Sequence, residues 1–179
     1  MSAISKDFNA YVSAFDGLST RRKDEPSWLR AFRENSFELF QAVGFPSVEE
    51  EEWKYTNVAA IARTNLTPVI HANGTKLTRE SLRPWMYDEA PVRLVFVDGV
   101  FRRDLSSIGE LANEVIAIDL EDAATDSRFE GELQRLFEGS AEGANGFVAL
   151  NNALFSGGLF LRLARNFTAN APIHRVLVT

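Results

Sequence analysis

Apolar residues recur at helical spacing through the opening segment. Phe8, Tyr11, Val12 and Phe15 predict an amphipathic helix over 3–17, with Gly17 as its stop. Arg21-Arg22-Lys23-Asp24-Glu25 reads as a charged, solvated linker. Pro26 suits a first helical turn, and from there to Val43 a longer helix carries Trp28, Leu29, Phe32, Phe37, Leu39, Phe40 and Val43. Gly44 ends it and Pro46 prevents its resumption. Those apolar positions exceed one stripe, so the helix needs cover on two sides. Two antiparallel helices are the economical start.

The pattern then turns acidic. Glu49-Glu50-Glu51-Glu52 runs directly into Trp53-Lys54-Tyr55-Thr56. If this segment is extended, Trp53 and Tyr55 point the same way and bury together against the helical pair, with Lys54 outward. Thr56 and Asn57 are N-cap candidates for a short helix over 58–63. A strand over 66–71 is expected next, turned back by Asn73-Gly74. Thr78 can cap a short helical turn around Leu82, Trp85 and Met86, interrupted by Pro84.

Alternation takes over in the remainder. Val92 to Val97 is a strand dense in β-branched and aromatic residues, and Asp98-Gly99 is a strong hairpin signal before a returning strand, Val100 to Leu105. Val115 to Ile118 is another strand. Ser127 can cap a helix over 128–138 with Phe129, Leu133, Leu136 and Phe137 on its apolar face. Small residues from Gly139 to Gly146 suggest a loop. A helix over 147–155 should turn Phe147, Leu150 and Leu154 inward, and Gly157-Gly158 should stop it. Strands follow over 159–164 and 173–178. The last one ends the chain without a cap or polar tail, and a bare apolar edge invites pairing. The expectation is therefore the front part of a longer sheet or solenoid, with self-association through that strand in isolation.

Composition narrows the chemistry. The 179 residues are 45% hydrophobic with 14 Phe, enough for a real core in one domain or one and a half. A net charge of −6 argues against nucleic-acid binding. Zero Cys excludes disulfides, zinc-thiolate sites, thiolate nucleophiles and cysteine-ligated clusters from these residues. It also fits a reducing cytoplasm. The start, Met1 to Asp7, carries no apolar signal region, and no apolar run reaches the length of a membrane span.

Each candidate for chemistry has a plain physical reading. Successive carboxylates cannot share one face of a helix or strand, so Glu49–Glu52 reads as a solvated shoulder rather than a metal or acid–base site. His71 and His174 each stand without an orienting partner or nucleophile. Gly139-Ser-Ala-Glu-Gly143-Ala-Asn-Gly146 lacks the Gly-Lys-Ser/Thr ending of a phosphate loop. Arg162, Arg165 and Arg175 could meet an acidic partner, but outward charge on a sheet is the ordinary reading. No catalytic, cofactor-binding or metal residue is assigned, and the chain is not expected to be an enzyme by itself.

Three segments carry a resemblance. Phe45-Pro-Ser-Val-Glu-Glu-Glu-Glu-Trp53-Lys54-Tyr55-Thr56-Asn57 resembles a Pro…Glu-x-Trp-Lys/Arg-Tyr-Thr signature near the start of SufD-like members of the SufB/SufD family. Phe96-Val-Asp-Gly-Val-Phe101 is similar to that family's Val-x-Asn/Asp-Gly-x-Phe hairpin. Ala149 to Leu161, followed by Ala171-Pro-Ile-His174, resembles the entrance to its β-helix. The three stand in the family's order and span nearly the whole chain. The resemblance implies an α+β fold: an N-terminal helical pair, a small α/β region with a β-hairpin, then the start of a right-handed parallel β-helix. It implies a helical and α/β domain over 1–146 and the first coil or coils of a β-helix over 147–179. It further implies a cytoplasmic scaffold for iron–sulfur cluster assembly that pairs with a SufB-like paralogue and a SufC-like ATPase in the longer protein. No cofactor is implied for these residues, and no functional residue carries over, because the segments bearing the family's partner and cluster contacts have no counterpart here.

Overall fold

The computed structural model describes residues 8–64, 66, 76–87, 89–108, 114–155 and 157–179. The fold is mixed α+β. Contacts divide it into two interleaved units, one of residues 1–70 with 127–155 and one of 71–126 with 156–179.

The first unit is helical. Helix α1 spans Asn9–Arg21 and α2 spans Ser27–Val43; α3 spans Ala59–Arg63, α6 Glu130–Ala141 and α7 Gly146–Leu154. Gly17 does not stop α1. Leu18 just beyond it is buried, and its carbonyl still accepts from Arg22 N–H at 3.1 Å, so the apolar face carries the helix another turn. Pro26 directly precedes α2, and Gly44 closes it at φ 71°, its N–H donating to Phe40 O at 2.7 Å. That left-handed backbone is why glycine ends the helix.

Helix α2 is covered on two sides, as its apolar breadth requires. On one side Phe137 of α6 packs edge-on against Trp28 and Phe32, with centroids 5.7 and 4.9 Å away. On the other side lies α7, the main partner of α2, rather than α1 alone. Helix α1 adds aromatic contacts: Phe15 stacks on Phe37 at 4.4 Å and Phe8 lies 4.7 Å from Phe40. Phe40 is fully buried among Phe8, Tyr11, Phe37 and Phe45. Burial also pushes the Tyr11 phenol above its ordinary pKa.

Small residues make the α2–α7 contact close. Gly146, Ala149 and Ala153 repeat at helical spacing along α7, and both alanines have no exposed surface. A β-carbon at Gly146 would collide with the Gly44 carbonyl oxygen and stand 2.8 Å from its carbon. Asn145 starts α7 by accepting from Phe147 and Val148 N–H at 3.0 and 3.1 Å. The expected loop over 139–146 is therefore confined to 142–145: α6 runs through Gly139 to Ala141, and Gly146 opens α7. Ser127 does not cap α6, which begins at Glu130 with buried Phe129 ahead of it. Leu136 is exposed, so the buried face of α6 is narrower than the apolar count suggests.

The second unit is built on β1, Val92–Val97, in a three-stranded sheet of order β2-β1-β5. Strand β2 is Val100–Phe101 and β5 is Ile173–Val178. The hairpin forms with Asp98 and Gly99 both at positive φ, 49° and 82°. Strand β5 pairs parallel to β1 along its full length, Val92↔Ile173 to Val97↔Val178. Both faces of β1 are buried: Val95 and Val97 meet Leu82, Leu105 and Val176, while Val92 and Leu94 meet Phe101 and Ala117.

The returning strand is shorter than expected. After Phe101 the chain turns, with Arg102 gripping Asp104 through two 2.8 Å hydrogen bonds that hold the Asp104 carboxyl below its usual pKa. Ser106 then closes the gap: its hydroxyl accepts from buried Val95 N–H at 2.9 Å and donates to Arg102 O at 2.7 Å. A side chain thus replaces a main-chain acceptor, and the strand ends. Thr78 caps α4, Arg79–Leu82, in a reciprocal pairing with Ser81. Pro84 lies in a 3₁₀ turn over Arg83–Trp85, and Trp85 stays 74% exposed instead of joining Leu82.

Strand β3, Val115–Asp119, pairs antiparallel with β4, Leu159–Leu163, in a separate two-stranded sheet. Asp119 also caps α5, Leu120–Thr125, by accepting from Glu121 N–H at 2.8 Å. The strand and turn expected over 66–74 fall almost wholly outside the described residues.

The close helix crossing generates a paired prediction. Gly146→Ala should destabilise the protein by about 3 kcal/mol or more, because backbone rather than a flexible side chain obstructs the added methyl. Gly139→Ala lies inside α6 with open space around it and should stabilise by about 0.5–1 kcal/mol. Urea unfolding of both variants checks the contrast; equal effects would remove the crossing as its cause.

Candidate functional site

The acidic–aromatic segment is a tight turn, not an extended strand. Glu51–Trp53 form one turn of 3₁₀ helix, followed by a turn at Lys54 and Tyr55. Residues of a 3₁₀ helix are about 120° apart, so positions two apart diverge. Trp53 accordingly turns inward, its ring 5.4 Å from Phe147, and its buried indole nitrogen has no hydrogen-bond acceptor among the described residues. Tyr55 turns out and is 93% exposed, which overturns the expectation that both rings bury together. Lys54 Nζ sits 5.8 Å over the Tyr55 ring.

Glu49, Glu50, Glu51 and Glu52 are all exposed. Glu50 is used locally, its carboxylate accepting from Ser47 N–H at 2.8 Å. Among the described residues no group of three or more His, Asp or Glu side chains could hold a metal ion. Of the two capping candidates, Asn57 accepts from Ala59 N–H at 2.9 Å, while the N–H of Thr56 donates to Trp53 O and closes the turn.

His71 lies outside the described residues. His174 is in β5, beside Arg93 across the parallel register. Its Nδ1 accepts from Tyr87 N–H at 3.2 Å, and its ring meets the Tyr87 ring edge-on. Arg93 donates twice to the Tyr87 carbonyl, at 3.0 and 3.2 Å. The two neighbours therefore hold both main-chain groups of Tyr87, a positioning use of the imidazole. Arg162 and Arg175 belong to strands of different sheets, and Arg165 follows β4 in a turn, so the three do not form one strand face.

The most elaborate polar cluster was not anticipated. Arg33 sits on the buried side of α2 between Leu29 and Phe37. Its Nε donates to Glu25 at 2.8 Å, and both side chains are buried, 4% and 8% exposed. Its Nη1 donates to the carbonyls of Ala153 and Phe155 at 3.1 and 2.9 Å, and its guanidinium lies 3.6 Å over the Phe155 ring. Arg22 adds a bond to Phe155 O at 3.2 Å and an ion pair to Glu25 at 3.7 Å. Residues 21–25 are thus not merely a solvated linker. The cluster satisfies carbonyls left open at the C-terminus of α7 and sets positive charge where the helix dipole favours it. One signal was visible beforehand: an arginine in phase with Leu29, Phe37 and Phe40 on an otherwise apolar stripe.

Two tests follow from this geometry. Arg33→Met should cost about 3–5 kcal/mol, because buried Glu25 loses its 2.8 Å partner and keeps only Arg22 at 3.7 Å, and a companion Glu25→Gln should recover part of that loss. Trp53→Ala should cost about 2–3 kcal/mol for a ring only partly buried, whereas Tyr55→Ala should stay within about 0.5 kcal/mol. Chemical denaturation of the four variants and the double variant reads both.

The sequence profile of the SufBD protein N-terminal region matches residues 6–174. No curated protein matches the chain. Among the described residues, no helix is long and apolar enough to cross a membrane. The profile covers the helical unit, the hairpin and β4 and reaches the start of β5, and the chain belongs to the SufB/SufD family of iron–sulfur cluster assembly scaffolds, as its N-terminal region.

Proposed function

We propose that this chain is the N-terminal part of a SufD-like scaffold, acting in the cytoplasm and non-catalytic by itself. In this reading the longer protein pairs with a SufB-like paralogue through a right-handed parallel β-helix and engages a SufC-like ATPase, and the nascent cluster is the cargo of that assembly. The family match over residues 6–174 carries the proposal. The SufD-like assignment within the family rests on the three ordered motifs.

Two structural features support the β-helix part. Strand β5 pairs parallel and in full register with β1, the type of pairing that successive coils of a parallel β-helix repeat. Strands β4 and β5 also carry exposed Leu161, Leu163 and, at 61% exposure, Leu177, apolar surface that further coils would cover. Tyr55 and the four exposed glutamates are not needed by the core of the first unit, which leaves that shoulder available to a partner.

The test is co-expression of the full-length gene product with SufB- and SufC-like proteins. Affinity purification through a tag on the full-length protein should yield all three in fixed stoichiometry. Recovery of the full-length protein alone, folded by circular dichroism, would overturn the assembly role.

A further inference from the structure

Within the first unit a cleft of about 220 Å³ opens beside the connection between α1 and α2. Its lining includes the apolar Phe15 and the buried Leu18. Its walls bring together Arg22, Lys23, Arg30 and Arg33. Two carboxylates, Glu25 and Glu34, also line it. Four cations against two acids make the cleft positive by two in a chain whose net charge is −6.

The charges are not all absorbed by the fold. Glu25 lies 2.8 Å from Arg33 and 3.7 Å from Arg22, so those two guanidiniums are engaged by the fold, and Lys23 and Arg30 are the cations that matter to a ligand. Arg30 is anchored through Nη2 to the neutral carbonyls of Lys23 and Glu25, at 2.9 and 3.3 Å, which fixes the side chain without compensating its charge. Lys23 is exposed at the rim. A cation pinned by backbone contacts loses less freedom on meeting an anion than a free surface side chain does. The positive potential of a concave site with apolar residues in its lining further favours an anion that carries a hydrophobic group.

We propose that this cleft binds a carboxylate attached to a short apolar group, held by Lys23 and Arg30 over Phe15 and Leu18. The volume is below the roughly 300–1,000 Å³ of pockets that take whole cofactors, so the occupant is the size of an acidic side chain or a small organic acid. Those two sources share one chemistry, and the inference does not depend on the scaffold role proposed above.

The experiment is an amide-shift titration of the full chain with sodium propionate, against sodium chloride at matched ionic strength. Saturable shifts confined to residues 15–25 and 30–34 are expected, with affinity rising about four-fold per methylene from acetate to propionate to butyrate. Lys23→Ala and Arg30→Gln should each weaken propionate several-fold, while Arg165→Ala should leave it unchanged. A capped peptide with adjacent Leu and Glu that shifts the same amides more tightly than propionate would identify a partner's side chain as the source; propionate binding without peptide binding would identify a free acid. The proposal is overturned if chloride reproduces the shifts, if chain length has no effect, if inorganic phosphate binds more tightly than propionate, or if Lys23→Ala binds like the parent chain.

Discussion

The helical unit depends on an absence of side chains where α7 crosses α2. Gly44 needs its left-handed backbone to end α2, and the carbonyl it presents there occupies the space a β-carbon on Gly146 would require. Ala149 and Ala153 continue the same small surface along α7. With the two backbones drawn together, the bulky groups are displaced to the margins. Phe8, Tyr11, Phe37, Phe40 and Phe45 collect on one flank, and Trp28, Phe32, Phe137 and Phe155 on another. Arg33 then becomes possible: its guanidinium reaches the last carbonyls of α7 because that helix end is held close, and Glu25 neutralises what would otherwise be a buried charge.

The second unit solves a different problem with one shared strand. Apart from Arg93, Val92 to Val97 is apolar on both faces, so it needs two covers as well as two edges. The hairpin supplies one edge and parallel β5 the other. Ser106 satisfies the main-chain group that the early end of β2 would have left open. His174 and Arg93 tie down Tyr87 next to the same pair of strands.

Much of this was legible in the residue pattern, and the misses have physical causes. The bounds of β1, the Asp98-Gly99 turn, the Gly44 stop and the Thr78 cap follow from local rules, and each is present. Gly17 misled because an isolated glycine stops a helix only where the apolar face also ends, and Leu18 extends it. Tyr55 misled because its side was assigned from an extended period, while the segment is a 3₁₀ turn. The α2–α7 pairing lay beyond any local signal, since it joins distant residues and is announced only by three small side chains in phase. Of the candidate chemistry, the carboxylate run could be weighed in advance because its spacing alone denies the four groups a common face. Arg33, Glu25 and the cleft beside them could not, because their meaning comes from where the end of α7 arrives.

The interleaving of the two units bears on how the chain reaches this state. Arg33 and Phe155 are joined across 122 residues, and the whole of β1 waits for β5 at the far end. As the polypeptide leaves the ribosome, α2 presents two aromatic flanks before α6 and α7 have been made, and β1 is hydrophobic on both faces before its parallel neighbour exists. Neither unit is a contiguous piece that can close behind the exit tunnel. Non-local closure of this kind is slow and leaves sticky surface open meanwhile, so a chaperone that shelters nascent segments has more to do here than in a protein of similar size built from consecutive domains.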